Sequence, residues 1–226
     1  MKDIVYFVKD TPVNEELRYS LRSLSNFPHG KVWFYGGCPK GLKPDYHVHV
    51  NQDKPTKWEN IFMMFALACS NNKISKDFWL FNDDFFIMKP VTEEPNYFDG
   101  DLYKRVVTLE DKHGGITPYS QQLRYTLQEL EGMGCTTINY ALHCPFPINR
   151  KKGKELCNII DGPMIRCAYG NYFKIGGKQS PDFKIDGEDK HYQGKDYLST
   201  NDKSFSLGVV GKEIREAFLD KCKYEE

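Results

Sequence analysis

The stretch Phe78-Trp79-Leu80-Phe81-Asn82-Asp83-Asp84 reads as a β-strand that ends on an acidic pair, the fourth such strand in the chain. Upstream, Ile4-Val5-Tyr6-Phe7-Val8 is an unbroken β-prone run of the kind found in strands covered on both faces. Val32-Trp33-Phe34-Tyr35, closed by Gly36-Gly37, forms the second strand, and Tyr46 to Val50 a short third one. Helices separate them. Leu17, Leu21 and Leu24 fall at i, i+4 and i+7 as one apolar stripe. Thr56-Lys57-Trp58-Glu59 fits the capping box, in which Thr and Glu side chains satisfy the free N–H groups of a helix start. Strands alternating with helices predict an α/β fold with a mostly parallel sheet, whose ligands gather at the carboxyl ends of the strands. Asp10, Gly36-Gly37 and Asp83-Asp84 then share one edge.

The second half of the chain is less regular. Thr117-Pro118 supplies an N-cap and a proline at the first helical position for a helix with Leu123, Leu127 and Leu130 inward, stopped by Gly132 and Gly134. Another helix is expected from Asn149 to Ile160, and a last one from Gly211-Lys212 with Ile214 and Phe218 inward. Between Tyr169 and Leu198 the chain is dense in Gly, Lys, Asp and Tyr without periodicity, which reads as a functional loop or a mobile lid.

Composition narrows the class. Of 226 residues, 40% are hydrophobic and 14% aromatic, which excludes disorder as a description of the whole. Lys and Arg number 31 and Asp and Glu 31, so bulk charge steers the chain to neither polyanions nor anionic membranes. The longest apolar run, Ile61 to Cys69, is too short to span a bilayer, and Met1-Lys2-Asp3 lacks a signal-peptide layout. A cytoplasmic location is the expectation. Seven cysteines with no C-x-x-C pair argue against a disulfide framework and a cysteine-ligated zinc site. Cys69 and Cys157 read as buried filler.

Chemistry concentrates in two places. Asp83 and Asp84 sit between aromatic residues at a strand end, where buried carboxylates are costly unless paired or holding a cation. Hard oxygen ligands suit Mg²⁺ or Mn²⁺ bridging to phosphate oxygens, with Asp83 also a candidate for a ribose contact. In Asn139-Tyr140-Ala141-Leu142-His143-Cys144-Pro145-Phe146-Pro147 the prolines stiffen the backbone around His143, a candidate metal ligand or base. Each has a plain structural alternative: a solvated strand-ending turn, and a hydrogen-bonding histidine.

Together, Ile4-Val5-Tyr6, the block Glu16-Leu17-Arg18-Tyr19-Ser20-Leu21-Arg22-Ser23-Leu24, Pro55-Thr56, Phe81 to Phe86 followed by Lys89-Pro90-Val91, and His143-x-Pro145 resemble the ordered motifs of the Stealth family of sugar-1-phosphate transferases. The chain is also similar to compact phage and bacterial glycosyltransferases of GT-A type. The resemblance covers residues 3 to 150 or so. It implies a single GT-A-like domain over 1–226, with a nucleotide-sugar-binding half at 1–100 and an acceptor-side half at 101–226. It further implies a nucleotide-sugar donor such as a UDP-sugar, Mn²⁺ or Mg²⁺ held by Asp83, Asp84 and His143, and His143 in the active site. The chain departs from the family in reading Phe7-Val8-Lys9-Asp10 where W-V-D-G is usual, and N-D-D in place of D-x-D.

Further candidates come from residue chemistry. Arg18 and Arg22 share a helix face and suit phosphate. Lys212 and Arg215, at a glycine-led helix start that follows Ser199-Thr200-Asn201-Asp202, suit an anion. Arg166, Tyr169 and Asn171 are candidate acceptor contacts, and Asp182 and Asp202 join Asp84 and His143 as candidate catalytic groups. The leading expectation is a metal-dependent glycosyltransferase. Its alternatives are a Stealth-type transfer of sugar-1-phosphate, releasing a nucleoside monophosphate, and a non-catalytic glycan- or partner-binding module. The acceptor stays open among glycan, protein, lipid-linked sugar and modified nucleic-acid base, with neutral net charge weighing against DNA.

Overall fold

Asp3–Val8 forms β1 and lies inside the sheet, with Val32–Gly36 (β2) on one side and Asp77–Phe81 (β4) on the other, both parallel to it. The computed structural model describes residues 1–226. Tyr46–His49 (β3) extends the sheet beyond β2, and Phe146–Asn149 (β7) closes the other edge, antiparallel to β4. The order is therefore β3-β2-β1-β4-β7, an α/β arrangement with a mostly parallel five-stranded sheet. Pro147 falls on the edge strand β7, where a missing N–H is tolerated.

Helices cover both faces. Ile4, Tyr6 and Val8 of β1 pack with Leu17, Leu21 and Leu24 at the helix Glu15–Ser23 (α1), whereas Val5 packs with Met64, Phe65 and Ala68 of Lys57–Ser70 (α2). Burial from both sides explains why β1 carries no polar alternation. The capping box forms as the spacing predicts: the Thr56 hydroxyl accepts from Glu59 N at 3.2 Å, and Thr56 N donates to the Glu59 carboxylate at 2.8 Å. A polar pin joins the layers on the α1 side, where the Tyr6 and Ser20 hydroxyls are 2.9 Å apart and Ser20 donates to the Phe85 carbonyl.

After β4 the chain turns at 82–84 into Phe85–Ile87 (β5) and then Tyr97–Phe98 (β6). Leu102–His113 (α3) follows, a helix the sequence reading missed although Leu102, Val106 and Leu109 form its buried stripe and Asp101 caps it. Pro118–Gly132 (α4) starts at Thr117 as expected. Arg150–Leu156 (α5) is shorter than the expected Asn149 to Ile160, with Asn149 as its cap.

The stretch 169–198 is more ordered than its composition suggests. Tyr169 and Asn171 belong to a buried helix, Ile165–Tyr172 (α6), and Lys178–Gln179 (β8) pairs with β6. Tyr197–Ser199 (β9) is wholly buried and pairs antiparallel with β5. The chain ends in Asp202–Ser206 (α7) and Val209–Ala217 (α8). Since β7 pairs with β4 and β9 with β5, the two halves divided at residue 100 share their sheets. No helix is long and apolar enough to cross a membrane, and all seven cysteines are free thiols.

Candidate active site

From β1 the chain crosses through α1 to β2 on one side, and from β3 through α2 to β4 on the other. Such a reversal opens a crevice beyond the carboxyl ends of the two central strands. The turn Asn82-Asp83-Asp84 sits there. It is anchored on both sides by buried aromatics, Phe81 before it and Phe85 and Phe86 after it, so the carboxylates hang from fixed points. Asn14 fastens the turn to α1: its side-chain oxygen caps the helix by accepting from Leu17 N at 2.9 Å, and its Nδ2 donates to Asp83 at 2.7 Å.

Two carboxylates, Asp83 and Glu16, crowd the crevice beside Asp84. Burial, then the charge of Asp84, pushes Asp83 up to about 6, against the opposing hydrogen bond from Asn14. Glu16 rises to about 8 because of burial, with the charges of Asp84, Asp83 and Asp202 adding to it and the Thr200 hydroxyl, which donates to Glu16 at 2.7 Å, opposing. Asp84 Oδ2 accepts from Ser199 at 2.9 Å and from Lys184 at 3.4 Å. Its Oδ1 is buried without any partner.

An orphaned carboxylate oxygen at a strand end fits a divalent cation. The expected ligand trio is nevertheless not assembled, since no three His, Cys, Asp or Glu side chains gather closely enough to hold a metal ion. Asp83 is engaged by Asn14, Asp84 by Ser199 and Lys184, and the Nδ1 of His143 by Asp182. What the acidic turn leaves open is the buried, unpartnered Oδ1 of Asp84, with the Asp83 carboxylate beside it.

His143 and Asp182, singled out separately in the sequence, come together. Nδ1 of His143 lies 2.9 and 3.0 Å from the two Asp182 oxygens, and the backbone N–H groups of His143 and Phe183 donate to Oδ1 at 2.9 and 2.8 Å. Burial alone would raise the Asp182 carboxyl, but the hydrogen bond and charge of His143 outweigh it and bring it down to about 2. An ionised carboxylate against Nδ1 requires the proton there, so in the neutral ring Nε2 is the acceptor.

Arg166 ties this dyad to the acidic turn. Its guanidinium donates to the Leu142 carbonyl and, at 3.1 Å, to the Asn82 side chain, and it lies 4.8 Å over the Phe85 ring. Phe85 in turn meets His143 edge-on at 6.4 Å between ring centres. Of the other expected acceptor contacts, Tyr169 accepts from Asn149 N at 2.8 Å. Asn171 Oδ1 accepts from Ile138 N and Thr136, and its Nδ2 donates to two carbonyls, so both residues are fixtures of α6.

Four residues expected at phosphate or another anion, Arg18, Arg22, Lys212 and Arg215, are engaged elsewhere. Arg18 lies 3.2 Å from Glu225, which Arg22 grips through two hydrogen bonds of 2.7 and 2.9 Å. The final helix begins at Val209, so Lys212 N is already bonded to the Gly208 carbonyl and offers nothing to an anion. Gly211 serves packing: a Cβ there would collide with the Phe205 carbonyl oxygen. Lys212 pairs with Glu216 at 3.8 Å, and Arg215 donates to the Phe205 carbonyl while lying over its ring. Asp202 is exposed at the start of α7, near enough to act on Glu16 and Asp83. At the sheet edge Gly36 has φ +108° and runs against the Val8 carbonyl, next to Asp10 and Gly37. Sequence reasoning missed Asn14, Glu16, Lys184, Ser199 and Thr200. Asn14 was legible as the N-cap of the Glu-Glu-Leu start, whereas Lys184, Ser199 and Thr200 carry no local signal.

No family model matches the chain, and no curated protein matches it.

Proposed function

We propose that the chain is a GT-A-type glycosyltransferase that moves a sugar from a nucleoside-diphosphate sugar, such as a UDP-sugar, to an acceptor hydroxyl with Mn²⁺ or Mg²⁺. The observation that carries this is the joining of two distant motifs: Arg166 is bonded to both Asn82 and Leu142 and so ties the segment that carries the His143–Asp182 dyad to the acidic turn at the sheet's reversal point. Asp84, through its unpartnered Oδ1, and Asp83 would hold the cation. When bound, the cation acts as a Lewis acid on the departing diphosphate.

The chain's own groups supply the rest. Nε2 of His143 accepts the proton of the acceptor hydroxyl, and Asp182 keeps Nδ1 protonated and stabilises the imidazolium that forms. The acceptor oxygen bonds to the anomeric carbon as the bond from that carbon to the diphosphate breaks. Lys184 and Arg166 add fixed positive charge beside the acidic turn. In the Stealth-type alternative the same base serves attack on the phosphorus next to the sugar.

Incubation with UDP-glucose, UDP-galactose and UDP-N-acetylglucosamine plus Mn²⁺, with the released nucleotide identified by chromatography, tests this. Nucleoside diphosphate supports glycosyl transfer, and monophosphate supports the sugar-phosphate alternative. Absence of both donor turnover and donor binding leaves the non-catalytic module.

A further inference from the structure

A hollow of about 350 Å³ opens where the segment 180–183, Tyr97 of β6 and Tyr197 of β9 meet. Tyr97, Phe183 and Tyr197 wall it, each ring meeting the other two edge-on at 5.4 to 5.9 Å between centres. Tyr197 is 4% exposed and Phe183 8%. Neither tyrosine hydroxyl is bonded to any group of the protein, neither is sealed off, and both residues line the hollow. A tyrosine packed as deeply as Tyr197 ordinarily finds a partner for its hydroxyl. At the rim stand Ser180, Lys195 and Asp196, so the lining itself carries one charge of each sign, and Asp196 lies 3.7 Å from Lys89.

The hollow adjoins the dyad. Pro181 and Phe183 line it, while Asp182 between them turns its carboxylate to His143. Cys144, the residue after His143, packs in the same cluster as Phe183 and Tyr197.

We infer that this hollow binds a neutral sugar residue of a glycan acceptor, one unit away from the residue whose hydroxyl reacts. Aromatic walls suit the C–H face of a pyranose, free phenol hydroxyls suit its hydroxyl groups, and the volume lies at the small end of ligand pockets, enough for one sugar ring. The assignment of the sugar to the acceptor rests on the transferase reading; the sugar site itself does not.

The test uses the full chain with ¹³C-labelled tyrosine rings, titrated with methyl glycosides of glucose, galactose and N-acetylglucosamine and, separately, with UMP and inorganic phosphate. At least one glycoside is expected to shift the Tyr97 and Tyr197 signals with a dissociation constant on the order of 1 mM, the scale for a ligand of that size. The double variant Tyr97→Phe, Tyr197→Phe should lose about tenfold in that affinity and keep its melting temperature, because no protein hydrogen bond is removed. Binding of UDP-glucose with Mn²⁺ is measured in parallel. If no glycoside shifts the two rings, if the double variant binds unchanged, or if only UMP or phosphate shifts them, the inference is wrong. Glycoside binding without donor binding keeps the sugar site and removes the transferase reading. Donor binding without glycoside binding does the reverse.

Discussion

Nδ1 of His143 lies 2.9 Å from the carboxylate of Asp182, 39 residues further along the chain. The carboxylate is held in return by two backbone N–H groups, so the ring is oriented by an acceptor that cannot itself swing away.

Asp182→Asn is therefore expected to keep the fold and lose about three orders of magnitude in kcat, since an amide opposite Nδ1 no longer fixes the tautomer. His143→Ala should lose at least about two orders. Steady-state kinetics with the melting temperature measured alongside decides. A variant that melts early yet turns over normally when cold would make the dyad purely structural.

For Asp84→Ala the expectation is an intact fold, no turnover, and loss of any rise in melting temperature on adding Mn²⁺. The substitution removes a buried unsatisfied oxygen, so stability without metal should not fall steeply. It does leave Ser199 and Lys184 without their acceptor. Asp83→Ala should raise the donor KM more than it lowers kcat if Asp83 touches the ribose. Unchanged Mn²⁺ response in Asp84→Ala would take Asp84 out of the cation site.

Glu16 gives the crevice a pH signature. Its carboxyl stands at about 8 in the folded chain against an ordinary 4.5, so folding favours its protonated form. That contribution is complete below about pH 4.5 and is lost as pH rises through about 8. Glu16→Gln should accordingly melt roughly 2–4 °C higher than the parent at pH 8 and close to it at pH 5. Calorimetry at both pH values checks the sign, and a gain at pH 5 alone would contradict it.

The clamp on the tail works in the opposite direction. Burial would raise Glu225, but the Arg22 hydrogen bonds outweigh it and bring the carboxyl down to about 2 from 4.5. This stabilisation is present above about pH 4.5 and disappears as pH falls towards 2. Arg22→Ala should cost about 3 kcal/mol at pH 7, with the difference shrinking through that acid window in urea titrations.

Much of the sheet was legible because strands buried on both faces must be continuously apolar, as Ile4 to Val8 and Phe78 to Phe81 are. Capped helices were legible for a similar reason, since Thr56 and Thr117 have few other uses next to an apolar stripe. The partners of Asp84 were not. Ser199 and Lys184 reach it across 115 and 100 residues, and long-range pairing leaves no local period to read. The same holds for 169–198, whose glycines and lysines suggest mobility while Phe183, Ile185, Tyr197 and Leu198 are buried. Hydrogen exchange should show this split, with Tyr197 to Thr200 strongly protected and 186–196 weakly, the latter gaining protection when donor and Mn²⁺ bind. Uniform protection from 186 to 200 without donor would remove the lid altogether.

The pairing of β5 with β9 has a consequence for the growing polypeptide. Phe85 emerges from the ribosome early but waits for Ser199 before its strand has a neighbour, and closing so long a loop is slow. Until then the acidic turn hangs from one side only, without the hydroxyl of Ser199 or the ammonium of Lys184. A nascent or truncated chain can lay down the parallel strands and still lack the finished crevice, which is complete only once residues up to Ser199 have been made.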